Sequence, residues 1–152
     1  MSINSEGLFN ALTSHALTLG RFDRVNGHES KNAPGNGLTC DIWFARLDPV
    51  PPASGLASTS TRVVFTARVY SNMLQEPQDG IDPAILSATD ALMAAYSGDF
   101  ELGGQVRDVD LLGETGIALS AQAGYLKVDT TTYRTVDITI PLVVSDLWTQ
   151  AP

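Results

Sequence analysis

The chain has 152 residues, 43% of them apolar and only 17% charged, against a usual charged share of about 25%. That is the length of one ordinary domain with one core, able to bury roughly 70% of the surface its unfolded form exposes. The net charge is −8, and no run of Lys or Arg could neutralise phosphates in series, which argues against specific nucleic-acid binding.

The acidity is one-sided. Residues 1–76 carry six basic and six acidic side chains, whereas residues 77–152 carry three basic and eleven acidic ones. Mean hydropathy is near neutral at +0.03. A low charged share of this kind fits a subunit partly covered by neighbours, or else a surface rich in Thr, Ser and Gly. Cys40 is the only cysteine, so no intrachain disulfide is possible, and its apolar setting suggests a small core residue. No stretch approaches the roughly 20 apolar residues of a membrane span. The first residues lack the basic start and apolar run of a secretory signal, so synthesis and use without membrane crossing by that route is expected.

In chain order, Ser5 and Glu6 suggest an N-cap and an acidic first turn. Leu8, Leu12, Ala16 and Leu19, with Phe9, form an apolar stripe on a helix that Gly20 would end. Residues 20–39 are rich in Gly, Asn and Pro and read as a long ordered loop. Its mixed charges include Arg21, Asp23, Arg24, Glu29 and Lys31, which are candidate contact residues.

Residues 39–47 and 61–70 read as two strands. Pro49, Pro51 and Pro52 between them exclude a ladder there, which suggests an extended hairpin. Its tip would project toward a neighbouring subunit, or be a plain exposed hairpin. Asp82 and Pro83 announce a second helix as N-cap and first helical residue. Ile85, Thr89, Leu92 and Tyr96 form its inner face, joined by Leu86 and Met93, and Gly98 stops it. Three strands follow, near 104–112, 119–128 and 133–144, with Pro141 marking an edge or bulge in the last. The expected fold is a single α+β domain: a mostly antiparallel sheet of about five strands with two main helices packed on it.

Chemistry is hard to assemble from these residues. Asp108 and Asp110 alternate on one strand face, but nothing local completes an acid–base pair or a cation ligand set. The stretch from Gln78 to Asp82 lacks the acids of a calcium loop. Cys40 lies mid-strand, away from any helix N-terminus that would make a thiolate. No nucleophile elbow or phosphate-binding glycine loop occurs. The expectation is no enzyme activity and no cofactor.

Three groups of segments carry a likeness that spans nearly the whole chain. They are Gly20-Arg21-Phe22-Asp23-Arg24-Val25 with Glu29-Ser30-Lys31-Asn32-Ala33-Pro34; Arg62-Val63-Val64-Phe65 with Glu76-Pro77-Gln78-Asp79-Gly80-Ile81-Asp82-Pro83; and Val109-Asp110-Leu111-Leu112-Gly113 with Ala123-Gly124-Tyr125. In this pattern the chain resembles the tail terminator proteins of long-tailed phages of actinobacteria. The resemblance implies a small α+β subunit that forms a ring, typically of six, on the head-proximal end of the tail tube. Such a ring stops tube growth and presents a face to head-completion or stopper proteins.

On that footing the partners would be further copies of the chain, the tube protein and a head-completion protein, with no membrane. The site of action would be the virion. The loop residues and the three prolines would lie at subunit or tube contacts. Asp108 and Asp110 would face a lumen through which DNA passes without specific binding. The alternatives are another head–tail joint or tube subunit and, more distantly, a small-molecule-binding or enzymatic domain.

Overall fold

The structure, a computed structural model, describes residues 2–74 and 76–151. Helix α1 (Ser5–Leu19) leads into a short strand β1 (Arg24–Asn26). Two long strands follow, β2 (Leu38–Pro49) and β3 (Ser58–Asn72), with a single 3-10 turn at Pro51–Ala53 between them. After helix α2 (Ile81–Gly98) come β4 (Asp108–Val109), β5 (Ser120–Val128) and β6 (Thr131–Thr149).

The sheet runs β1-β2-β3-β6, with β4 and β5 both on the outer side of β6. Only the β1–β2 pair is parallel. The expected α+β fold with two helices on a mostly antiparallel sheet is present, with six strands rather than about five.

Directly paired residues share a sheet face. Cys40, Val69 and Val136 lie in one row, Ile42, Ala67 and Ile138 in the next, then Phe65 beside Ile140 and Val63 beside Leu142. These rows meet Leu8, Leu12 and Ala16 of α1 and Ile85, Leu92 and Tyr96 of α2 in one buried cluster. Both helices therefore cover the same face. The Tyr96 hydroxyl donates to the Leu12 carbonyl at 2.8 Å, joining the two helices inside the core. Burial pushes the Cys40 thiol up to about 12, in keeping with an inert packing residue.

Several local expectations are corrected. The α1 cap is Asn4, whose side chain accepts from the Gly7 amide, not Ser5. Helix α2 begins at Ile81 with Gly80 at its cap. Asp82 is thus in the first turn, and its carboxylate takes a hydrogen bond from Arg134 Nε at 2.9 Å instead of capping. Leu86 points outward at 68% exposure.

The strand expected over 104–112 shrinks to two residues. Leu102, Gly103 and Gly104 take positive φ at its start, the amides of Gln105 and Val106 turn back to the carbonyls of Leu102 and Glu101, and the chain turns again after Asp110. Pro49 belongs to β2, opposite Thr61, so the ladder reaches nearer the hairpin tip than the prolines suggested.

Pro141 sits in the central strand β6, opposite Val64 of β3. Its carbonyl accepts from the Asp110 amide on the other side. Its nitrogen faces that same side, between the end of the β5 pairing at Thr139 and the start of the β4 pairing at Leu142. The missing N–H falls in a gap between two partners and leaves nothing unsatisfied.

Candidate assembly surfaces

The 20–37 segment is held at several points. Gly20 takes the left-handed conformation that ends α1. Arg21 donates to the Ser87 hydroxyl on α2 at 2.7 Å. The Asp23 carboxylate accepts from the Leu38 amide at 3.0 Å. It lies so close to Gly37 that a Cβ there would fall 1.8 Å from a carboxylate oxygen, and Gly37 has φ +83°. Glycine is required at that turn for both reasons.

Asp41, fully buried in β2, accepts from Asn26 Nδ2 at 2.8 Å, from the Ser30 amide at 2.9 Å and from the Ser30 hydroxyl. The Tyr133 hydroxyl donates to the Pro34 carbonyl, and Tyr133 packs edge-on against Tyr70 at 6.1 Å. The loop is thus pinned over the helix-free face of the sheet. Arg21, Asp23, Arg24, Glu29 and Lys31 are all exposed on it.

The hairpin tip is braced as well. Val50 is buried. Ser54 Oγ donates to the Val50 carbonyl and accepts from the Ser60 amide, while Ser60 Oγ donates to the Ala53 carbonyl. Pro49, Pro51 and Pro52 are exposed, and Leu56 is 96% exposed. The tip is therefore a folded turn rather than a loose arm. Its prolines and the charged loop stand at opposite ends of the β2 edge.

The two candidate acids, Asp108 on β4 and Asp110 just after it, have different surroundings. Asp108 is partly exposed, 3.5 Å from Arg107, and burial pushes its carboxyl upward. Asp110 is 5% exposed, and its carboxylate accepts from the amides of Gly113, Glu114 and Thr115 and from the Thr115 hydroxyl, at 2.5–3.0 Å. Burial pushes it up, but these bonds outweigh burial and hold it below its ordinary value. Asp110 therefore braces the 110–115 turn. Arg62, whose guanidinium donates to the Thr115 carbonyl and lies 3.3 Å from Asp48, anchors the same turn to β2 and β3.

Replacing Asp110 with Ala is expected to cost about 2–3 kcal/mol, since bonds to a charged acceptor are among the stronger ones. For a chain of this size that is a fall in Tm of roughly 4–12 °C in a thermal melt. Because its folded pKa is depressed, the carboxylate's contribution is complete above the unfolded value of about 3.9. It is lost as pH falls through the lowered folded value. The variant should accordingly show a shallower loss of stability in that acid range.

Topology exposes a feature that residue patterns do not show. Beyond β1, which pairs residues 39–41, the outer side of β2 has no partner strand among the described residues. The outer side of β5 has none either. Near the β2 edge an apolar cleft of about 230 Å³ is lined by Ile3, Leu8, Phe9, Phe44 and Leu47. Between α2 and β5 a groove of about 490 Å³ is lined by Pro83, Leu86, Thr89, Ala121 and Val136, with Asp82 and Arg134 at its rim. Eleven large apolar side chains among the described residues expose more than a third of their surface, spread over both helices, strands β2, β5 and β6 and the turns between elements.

Among the described residues no group of three or more His, Cys, Asp or Glu side chains could hold a metal ion. No described helix is long and apolar enough to cross a membrane. No known family's model matches the chain, and no curated protein matches it in sequence.

Proposed function

We propose that the chain is a structural subunit that forms a ring at the head-proximal end of a phage tail tube, ending tube growth and joining the tail to head-completion proteins. The observation that carries this reading is the distribution of exposed apolar surface. Leu17 is on α1, Phe44 and Leu47 on β2, Leu56 at the hairpin tip, Leu86 on α2, Leu111 and Leu112 on the 110–115 turn and Tyr125 on β5. A subunit contacted on several flanks would bury these groups in its neighbours.

The tail-terminator likeness of the sequence supplies the kind of assembly. The 20–37 loop and the prolines of the hairpin tip are braced from within and exposed outward, which suits contact surfaces. Of the two candidate acids Asp108 is the one for the lumen, because the carboxylate of Asp110 is occupied inside the turn.

Native mass spectrometry of the purified chain and imaging of isolated tails test the proposal. A closed ring of one stoichiometry, placed at the head-proximal end, is the expected result. Long filaments would instead identify a tube subunit, and a chain that stays monomeric on assembled tails would exclude the ring.

A further inference from the structure

We propose that neighbouring subunits join edge to edge, residues 42–49 of β2 in one copy pairing antiparallel with β5 of the next, and Phe44 seating in the groove between α2 and β5. The inference rests on the ring reading and specifies its contact. The two free edges match in length, eight and nine residues, or roughly 27–30 Å at about 3.4 Å per residue. They also match in direction. Consecutive neighbours β2, β3, β6 and β5 are all antiparallel, so β5 runs opposite to β2. A rotation that preserves strand direction therefore brings β2 of one copy antiparallel to β5 of the next.

An exposed edge is a hazard that proteins normally blunt with charge, proline or a bulge, and the β2 edge carries all three, in Arg46 and Asp48, Pro49 and the register shift after Phe44. Strand β5, with the sequence SAQAGYLKV, has a single charge near one end and small residues along its first half. It is an edge suited to receiving a strand.

The flanking side chains fit the same join. The register shift between Phe44 and Arg46 leaves Ala45 as an extra residue, which puts Phe44 opposite Phe65 and Leu47 opposite Val63. Both side chains thus lie on the helix-bearing side although they are three residues apart. Phe44 is 51% and Leu47 39% exposed. On that same side of β5 the groove has room for an aromatic ring, and full overlap of the edges brings Phe44 to its Arg134 end, beside Tyr125.

The fit is reciprocal, because Leu86 of one copy would face the cleft beside Phe9, Phe44 and Leu47 of the other. Two different surfaces in contact make a heterologous interface, which leaves no edge free when the rotation between copies closes it into a ring.

The test uses the full chain carrying Phe44→Cys and Tyr125→Cys together, treated with a short bis-maleimide, because full overlap of the two edges puts these residues opposite each other. Cys40 is fully buried and stays silent. The expected result is a ladder of covalent oligomers that ends at the ring number, with no ladder from either single variant. Phe44→Asp and Leu86→Glu should each weaken assembly at least tenfold by native mass spectrometry while far-UV circular dichroism stays unchanged.

A ring that persists in both charged variants and gives no ladder overturns the edge contact and leaves the ring reading standing. A ladder from a single variant overturns the heterologous join. A wild-type chain that is monomeric in solution and on tails overturns both readings.

Discussion

Phe65→Ala is expected to lower folding stability by about 3–5 kcal/mol, seen as a fall in Tm of roughly 6–20 °C in a thermal melt. Phe65 lies in the middle of β3, 2% exposed. Phe9 of α1 packs edge-on against its ring at 5.0 Å, and Phe44 of β2 approaches at 6.2 Å. Ile140 of β6 is its partner in the register. Removing the ring leaves a void where helix, edge strand and central strand meet, and none of the three can close it without moving the others. A Tm within 2 °C of wild type would show that the helix and sheet do not depend on this contact.

Phe44→Ala makes the useful comparison. Half its surface already faces water, so the same truncation should cost the monomer less than about 1 kcal/mol. Its larger effect should fall on assembly. Two phenylalanines in contact would then separate folding from association, one through the monomer's core and the other through its edge.

The parts of the fold that could be read from sequence are those governed by local repetition. The stripe Leu8, Leu12, Ala16 has helical spacing, as does Ile85, Thr89, Leu92, Tyr96, and all seven are buried as that spacing requires. Val63, Phe65, Ala67 and Val69 alternate toward the core for the equivalent reason in a strand. What escaped the sequence depends on pairing between distant segments. The three residues of β1 acquire strand geometry only from β2, and β4 from β6.

The acids show the same limit. Asp108 and Asp110 share a face by alternation, yet their roles differ because the turn after Asp110 folds its amides back onto that carboxylate alone. Exposure of the charged loop and of the prolines was readable from polarity and from proline's missing N–H. The free β2 and β5 edges were not. An edge is defined by which strand is absent beside it, and that requires the whole sheet order.

Asp41→Ala is expected to cost about 3 kcal/mol, lowering Tm by roughly 6–12 °C. The carboxylate lies between Cys40 and Ile42 in a strand that is otherwise apolar at that point, and it has no exposure to water. Alanine would leave the Ser30 amide and the Asn26 side chain without their acceptor in a dry site, and unmet buried donors are costly. Asp41→Asn keeps one oxygen in place and should lose less, about half as much. The loss should also be local. Amide exchange across 27–36 is expected to accelerate first, since Asp41 holds both Asn26 at the end of β1 and Ser30 in that loop, while the helix–sheet core stays protected. The Asn variant then becomes a probe of function. If Glu29 and Lys31 contact a neighbour, a loosened loop must be ordered again on assembly, and ring formation should weaken in a variant whose core is intact. Ring formation at wild-type strength, with 27–36 exchanging freely, would place the subunit contact elsewhere, at the sheet edges.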